Sequence, residues 1–173
     1  MSLTQKLFSF DGRLRRRDWW LLGIALGVVS VLVQWAIGTA MGVNVFNPAA
    51  NTVEGASRTA GIVGLAVGLA FLWPSAALSI KRGHDRNRPA WIIILFYVLV
   101  FAMQGSGFLF APAAGATPAE LSPGLMITGL LGLLVAVFGI YILIDYGFLD
   151  GTAGPNKYGP SPKALAGSAE AFE

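Results

Sequence analysis

The fold is decided by an uninterrupted apolar stretch near the start of the chain. Residues 19–41 read WWLLGIALGVVSVLVQWAIGTAM, which is 23 residues without a charged side chain. A helix rises 1.5 Å per residue, so about 20 residues cross the roughly 30 Å hydrocarbon core of a bilayer. The apolar region of a signal peptide is shorter, about 7–15 residues. We therefore predict that this stretch is an uncleaved transmembrane helix.

Three further stretches have similar length and apolarity. Residues 60–80 and 90–110 contain no charged side chain, and residues 125–149 contain one, Asp145. Only helices and closed barrels satisfy every backbone polar group in lipid, and none of these stretches alternates between polar and apolar residues. The sequence therefore predicts an all-α membrane protein with four transmembrane helices in two hairpins.

The composition agrees with a membrane protein. The chain has 173 residues, of which 55% are hydrophobic and 12% charged, and soluble domains carry about twice that charged share. It contains no cysteine, which excludes disulfides, thiolate catalysis and zinc–thiolate or iron–sulfur sites. We predict one domain over residues 1–163, and we expect the small polar residues 164–173 to form a disordered tail.

The basic residues predict the orientation of the spans. Only Arg58 lies in the first or third loop, and the other eleven Lys and Arg residues lie before the first span, in the middle loop or after the fourth span. Lys and Arg accumulate on the cytoplasmic side of membrane proteins. Both termini are therefore expected in the cytoplasm.

Glycine spacing predicts close helix packing. Three pairs of glycines lie four residues apart: Gly23/Gly27, Gly38/Gly42 and Gly64/Gly68. Small residues at this spacing let transmembrane helices approach closely. We favour packing between the first two spans, and a homo-oligomer through these faces is the alternative.

Three polar segments, residues 8–20, 81–91 and 151–162, are predicted to meet at the cytoplasmic face. They could be topological anchors in which arginines and aspartates neutralise one another. They could instead bind anionic lipid headgroups, since guanidinium groups match phosphate oxygens. Anchoring needs only positive charge, so the presence of histidine, amide and tyrosine side chains favours a site. The candidate residues are Arg13, Arg17, Arg82, His84, Asp85, Arg86, Asn87, Asn156 and Tyr158.

Two alternative functions depend on individual residues. An enzyme acting on lipid-linked phosphates could use His84 with Asp85, although neighbouring residues rarely face each other and the sequence places no nucleophile beside them. A small transporter or channel component could use Asp145, the acid inside the fourth span. Asp145 lies five residues before Asp150, roughly 7.5 Å along a helix, so it could also reach the interface and pair with Lys81 or Arg82.

The leading hypothesis is therefore a non-enzymatic membrane module whose cytoplasmic face binds anionic headgroups or a protein partner. The chain has one histidine and no cysteine, so no metal site is expected. We expect no cofactor and no nucleic-acid partner.

The three polar segments also carry ordered motifs. These are Phe8-x-Phe10-x-Gly12-Arg13, Lys81-Arg82-x-His84-Asp85-Arg86-Asn87-Arg88 and Asn156-Lys-Tyr-Gly-Pro160. Together they resemble the YhaH/YhaI-like family of small bacterial inner-membrane proteins, domain of unknown function family 805 (DUF805), over residues 5 to about 163. The chain departs from that pattern at Gly83, where leucine is usual, and at Pro89-Ala90, where Ser-Gly is common. The resemblance implies a four-span, multi-pass protein of the bacterial inner (plasma) membrane and supplies no residue with a role.

Overall fold

The computed structural model describes residues 1–47, 51, 56–110 and 123–163, and the regular secondary structure in these ranges is helical. No β-strand occurs among them, so the all-α expectation is confirmed there. The elements are α1 (Leu3–Phe8), α2 (Arg16–Ala40), α3 (Ala56–Asp85), α4 (Trp91–Leu109) and α5 (Pro123–Ile142), with a π-helix (Leu143–Phe148) continuing α5. The expected disordered tail, residues 164–173, lies outside the described residues.

The long helices coincide with the four predicted apolar stretches. Three of them are long and apolar enough to cross a membrane: Arg16–Ala40, Arg58–Asp85 and Pro123–Phe148. The fourth, Trp91–Gly107, is apolar but shorter. The predicted helices are therefore confirmed, and their length and composition suit a membrane protein.

The surface of α2 shows why such helices do not suit water. Only 6% of its most apolar 18-residue window is buried, and large side chains such as Leu21, Leu32 and Trp35 are more than half exposed. Monomeric soluble proteins rarely expose contiguous apolar patches of this extent. Lipid acyl chains would cover this surface without cost.

The end of α3 is set by Asn87. Its φ of 58° lies in the left-handed region, where asparagine and glycine are the usual residues. The Asn87 N–H donates to the His84 carbonyl at 3.0 Å, and the Arg88 N–H donates to the Gly83 carbonyl at 2.8 Å. These two bonds form a Schellman motif, which closes the helix. Pro89 follows, as is common after such an end.

The π-helix presents its last carbonyls to side chains from elsewhere in the chain. The Arg82 Nε donates to the Tyr146 carbonyl at 2.7 Å, and the Trp20 Nε1 donates to the Gly147 carbonyl at 2.9 Å. The Arg16 Nη1 donates to the Phe148 carbonyl at 2.7 Å. The last carbonyls of a helix have no partner within it. Protein side chains supply those partners here, so the end of this helix does not depend on water.

The chain divides into two compact units. The first comprises Met1–Gly27, Leu72–Leu95 and Gly139–Glu173, and the second comprises Val28–Phe71 and Phe96–Phe138. All three predicted polar segments lie in the first unit. The predicted single domain over residues 1–163 stays a prediction.

The second unit shows what two of the paired glycines contact. A Cβ on Gly64 would lie 3.9 Å from the Gln34 amide oxygen, and one on Gly68 would lie 3.6 Å from the Phe101 ring. In the first unit, a Cβ on Gly23 would meet nothing within 4 Å. Gly64 and Gly68 therefore face neighbouring helices within the chain, and the homo-oligomer stays a prediction.

Candidate functional site

Three segments converge in the first unit, and each overlaps one of the predicted polar segments. We refer to these three, residues 1–18, 81–88 and 145–163, together as the polar cap. Side-chain hydrogen bonds connect every pair of these segments. The sequence predicted this convergence from topology, because all three segments follow or precede predicted spans on the same side.

Arg13 is buried and uses its whole guanidinium inside the protein. Its Nε and Nη2 both approach Oδ1 of Asp85, at 3.0 and 2.9 Å. Its Nη2 also donates to the Thr152 carbonyl at 2.7 Å, and its Nη1 donates to the carbonyls of Gly154 and Gly159 at 2.7 and 3.3 Å. A guanidinium has five N–H donors. These five contacts account for them and bind the C-terminal segment to the start of α2.

Asp85 lies between two buried guanidinium groups. Its Oδ1 pairs with Arg13 and its Oδ2 pairs with Arg82. Thr152 donates from its N–H and hydroxyl to the Asp85 carbonyl, at 2.8 and 3.2 Å. Gly151 lies against the carboxylate, and a Cβ there would overlap with Oδ2. The segment can therefore approach Asp85 this closely only because residue 151 has no side chain.

Lys81 is fully buried and binds the C-terminal end of α1. Its Nζ donates to the carbonyls of Gln5, Lys6 and Ser9 at 2.6, 2.6 and 2.5 Å. An ammonium group has three N–H donors, so all of them are used. A cation at a helix C-terminus also interacts favourably with the helix dipole.

His84 does not form the dyad that the catalytic alternative requires. Its ring stacks on Tyr158, with the centroids 3.7 Å apart and the planes at 10°. Its Nδ1 lies 3.2 Å from the Gly12 carbonyl, so Nδ1 carries the donated proton. The Asp85 carboxylate contacts arginines instead. The side-chain amide of Asn156 donates to the His84 carbonyl at 2.9 Å, which fixes the backbone behind the ring.

Asp145 pairs with the two arginines that follow α3. Arg86 Nη2 donates to its Oδ1 at 2.9 Å, and Arg88 donates from Nε and Nη2 at 3.2 Å each. The hydrogen bond to this carboxylate raises the pKa of Arg88. The expected pairing with Lys81 or Arg82 is wrong, because those side chains bind carbonyls of α1 and of the π-helix.

Tyr146 is a buried residue that the sequence did not single out. It has no exposed surface, and its hydroxyl has no hydrogen-bond partner among the described residues. A Cβ on Gly83 would lie 2.8 Å from this hydroxyl. The absence of a side chain at Gly83 therefore makes room for Tyr146. Nothing in the sequence indicated that this glycine of α3 and this tyrosine of the last predicted span would be in contact.

The nine predicted headgroup residues fall into two groups. Six bind within the protein through side chain or backbone: Arg82, His84, Asp85, Arg86, Asn87 and Asn156. Three line a cavity, Arg13, Arg17 and Tyr158, and of these Arg13 and Tyr158 also contact other residues of the protein.

This cavity has a volume of about 750 Å³ and lies between α1, the start of α2 and the C-terminal segment. Its charged lining residues are Lys6, Arg13, Arg15, Arg17, Asp11 and Asp18. Lys6 pairs with Asp18 at 2.6 Å, and Arg15 donates to the Pro162 carbonyl. Arg17 is exposed and forms no hydrogen bond or ion pair with any residue that the structure describes. Its guanidinium is available to a ligand without breaking a contact.

Comparison with known proteins adds a family and no activity. The profile of a family described as protein of unknown function (DUF805) matches residues 7–160. The chain is 30% identical over 159 residues to a protein of Escherichia coli strain K12 named "Uncharacterized protein YiiR", covering 92% of this chain and 89% of that protein. The protein of the same name in Escherichia coli O157:H7 matches to the same extent. No solved structure matches.

Proposed function

The chain belongs to the DUF805 family of proteins of unknown function, and we propose that it is a multi-pass protein of the bacterial inner membrane whose polar cap binds anionic lipid headgroups. In this proposal α2, α3, α4 and α5 cross the bilayer as two hairpins with both termini in the cytoplasm. The distribution of charge supports the orientation. Eleven of the twelve Lys and Arg residues belong to the first unit, and only Arg58 belongs to the second.

The observation that carries the headgroup proposal is the cavity with Arg17 on its wall. Of the four cationic side chains that line the cavity, Lys6 and Arg13 are paired with carboxylates and Arg15 donates to a backbone carbonyl. Arg17 is therefore the cation with which the cavity can bind an anion. Arg17 is the second residue of α2, at the level where a transmembrane helix leaves the hydrocarbon. Juxtamembrane Lys and Arg attract anionic lipid by about 1 kcal/mol each. A planar guanidinium can also bind two phosphate oxygens at once.

The geometry gives less support to the other two hypotheses. A catalytic His84 would need an orienting carboxylate, but its Nδ1 is bonded to a backbone carbonyl. A proton-carrying Asp145 would need to change its charge during transport, but two arginines hold its carboxylate. Both arrangements suit a structural role for these residues.

Lipid retention in native mass spectrometry tests the headgroup proposal. The protein is reconstituted in nanodiscs that contain equal amounts of phosphatidylglycerol and phosphatidylcholine, released, and analysed for bound lipid. We expect wild type to retain phosphatidylglycerol selectively. Arg17→Gln should weaken this selectivity about tenfold, because a hydrogen bond to a charged group is worth roughly 1.5–3 kcal/mol.

Lys163→Gln is the matched control. It removes one positive charge from an exposed residue that does not line the cavity, so it should retain lipid as wild type does. The proposal is overturned if wild type shows no preference for phosphatidylglycerol. Equal loss in Arg17→Gln and Lys163→Gln would also overturn it, because it would mean that net charge alone attracts the lipid.

A further inference from the structure

The N-terminal segment lies alongside the last turns of α3. Lys81 Nζ binds the carbonyls at the end of α1, and Trp73 Nε1 donates to the Phe8 carbonyl at 3.1 Å. The ring of Trp73 also meets the ring of Phe10 edge to face, with centroids 4.8 Å apart. Trp73 precedes Lys81 by eight residues, which is about 12 Å along a helix. The N-terminal segment therefore extends back along the apolar part of α3.

The backbone of this segment is satisfied by protein donors. The carbonyls of Gln5, Lys6 and Ser9 accept from Lys81, and that of Phe8 accepts from Trp73. Carbonyls at the end of an exposed helix can bond to water instead. An unsatisfied carbonyl at the level of lipid costs several kcal/mol. A helix end that faces lipid requires hydrogen-bond donors from the protein, and here Lys81 and Trp73 donate to four carbonyls.

The exposed side chains of the segment also indicate contact with lipid. Met1, Leu3 and Phe8 are exposed by 58, 60 and 55%. Lys6, the basic residue of α1, is paired with Asp18 at 2.6 Å. The exposed surface therefore combines these three large apolar side chains with the polar residues Ser2, Thr4 and Gln5, and the charge of Lys6 is neutralised. Such a surface is favourable at the boundary between headgroups and acyl chains.

We infer that residues 1–10 form an interfacial anchor whose partner is the lipid bilayer. Met1, Leu3 and Phe8 insert into the boundary region, while Lys81 and Trp73 hold the backbone against α3. The inference rests on the proposed membrane insertion of α3. Met1, Gln5 and Lys6 also line the cavity, so the anchor places the cavity wall at the level of the lipid headgroups.

Depth measurement by spin labelling tests the anchor. Because the chain contains no cysteine, Leu3→Cys and Phe8→Cys each introduce a unique site for a nitroxide. In proteoliposomes, oxygen concentrates in lipid and a nickel chelate concentrates in water. We expect the labels at Leu3 and Phe8 to collide more with oxygen than with the nickel chelate. Ala153→Cys, at an exposed residue of the polar cap, should show the reverse.

A fourth label separates failure of the anchor from failure of the membrane proposal. Leu32 lies on the exposed surface of α2. A label at Leu32→Cys should therefore show the collision pattern of the hydrocarbon region. If Leu32 is in lipid and the labels at Leu3 and Phe8 behave like that at Ala153, only the anchor is overturned. If the label at Leu32 is also in water, membrane insertion fails and the anchor fails with it.

Discussion

Asp85 is the shared anionic partner of two buried arginines that come from different parts of the sequence. Arg13 precedes the first long helix, and Arg82 lies one turn before Asp85 in α3. Each has at most 1% of its side chain exposed. Removing one member of a buried ionic group usually costs about 3–5 kcal/mol, since the remaining charge is left without a partner. Asp85 therefore contributes strongly to the stability of the polar cap.

We predict that Asp85→Asn destabilises the protein by roughly 3–5 kcal/mol. The amide keeps the shape of the side chain but leaves Arg13 and Arg82 without their shared negative charge. Thermal unfolding in mild detergent measures the change. Asp11→Asn is the control. Because Asp11 is exposed, this variant should unfold at nearly the wild-type temperature. Equal unfolding temperatures for the two variants would contradict this account.

At this scale the sequence predicts which residues meet but not how they pair. The mixture of Arg82, His84, Asp85 and Asn156 indicated more than simple anchoring, and topology placed these residues together. Hydrogen-bond partners depend on distances of a few ångströms, which topology does not determine. The close approach of Gly151 to Asp85 was equally hidden, because the chain contains 22 glycines and nothing in the sequence marks this one.

The C-terminal end of α3 is an element-scale feature with a testable requirement. Asn87 has the positive φ that the Schellman motif needs at this position. We predict that Asn87→Gly has nearly the wild-type free energy of unfolding, whereas Asn87→Ala is less stable by about 1–2 kcal/mol, because alanine has neither the freedom of glycine nor the short polar side chain that lets asparagine adopt the left-handed conformation. Chemical unfolding of both variants checks this. If the alanine variant matched the glycine variant, conformation would not be the reason for asparagine here.

The long helices could be predicted from hydropathy, whereas α1 and the π-helix could not. The predicted stretch 19–41 corresponds to Arg16–Ala40, and 90–110 corresponds to Trp91–Leu109. With six residues, α1 is too short to show a helical period, and its C-terminal end depends on Lys81. The π-helix depends on side chains that bind its last carbonyls. The C-terminal ends of both are bound by side chains from distant parts of the chain.

The basic residues are concentrated in the first unit, and this leads to a prediction about orientation. In intact cells, a membrane-impermeant maleimide should label Asn47→Cys, which is exposed just after the first span. It should label Ala153→Cys only after the inner membrane is permeabilised. Since the chain has no cysteine of its own, each signal reports one position. Labelling of residue 153 in intact cells would contradict the proposed orientation.

The closure of the polar cap by residues 145–159 has a consequence for synthesis. Arg13 and Arg82 are translated long before the carbonyls of Tyr146, Thr152 and Gly154 that they bind. Until the ribosome has made those residues, the two guanidinium groups lack most of their native acceptors, and burying a charge without partners is unfavourable. A chain that stops before residue 145 therefore lacks these acceptors, and we expect cellular proteases to degrade it faster than the full chain.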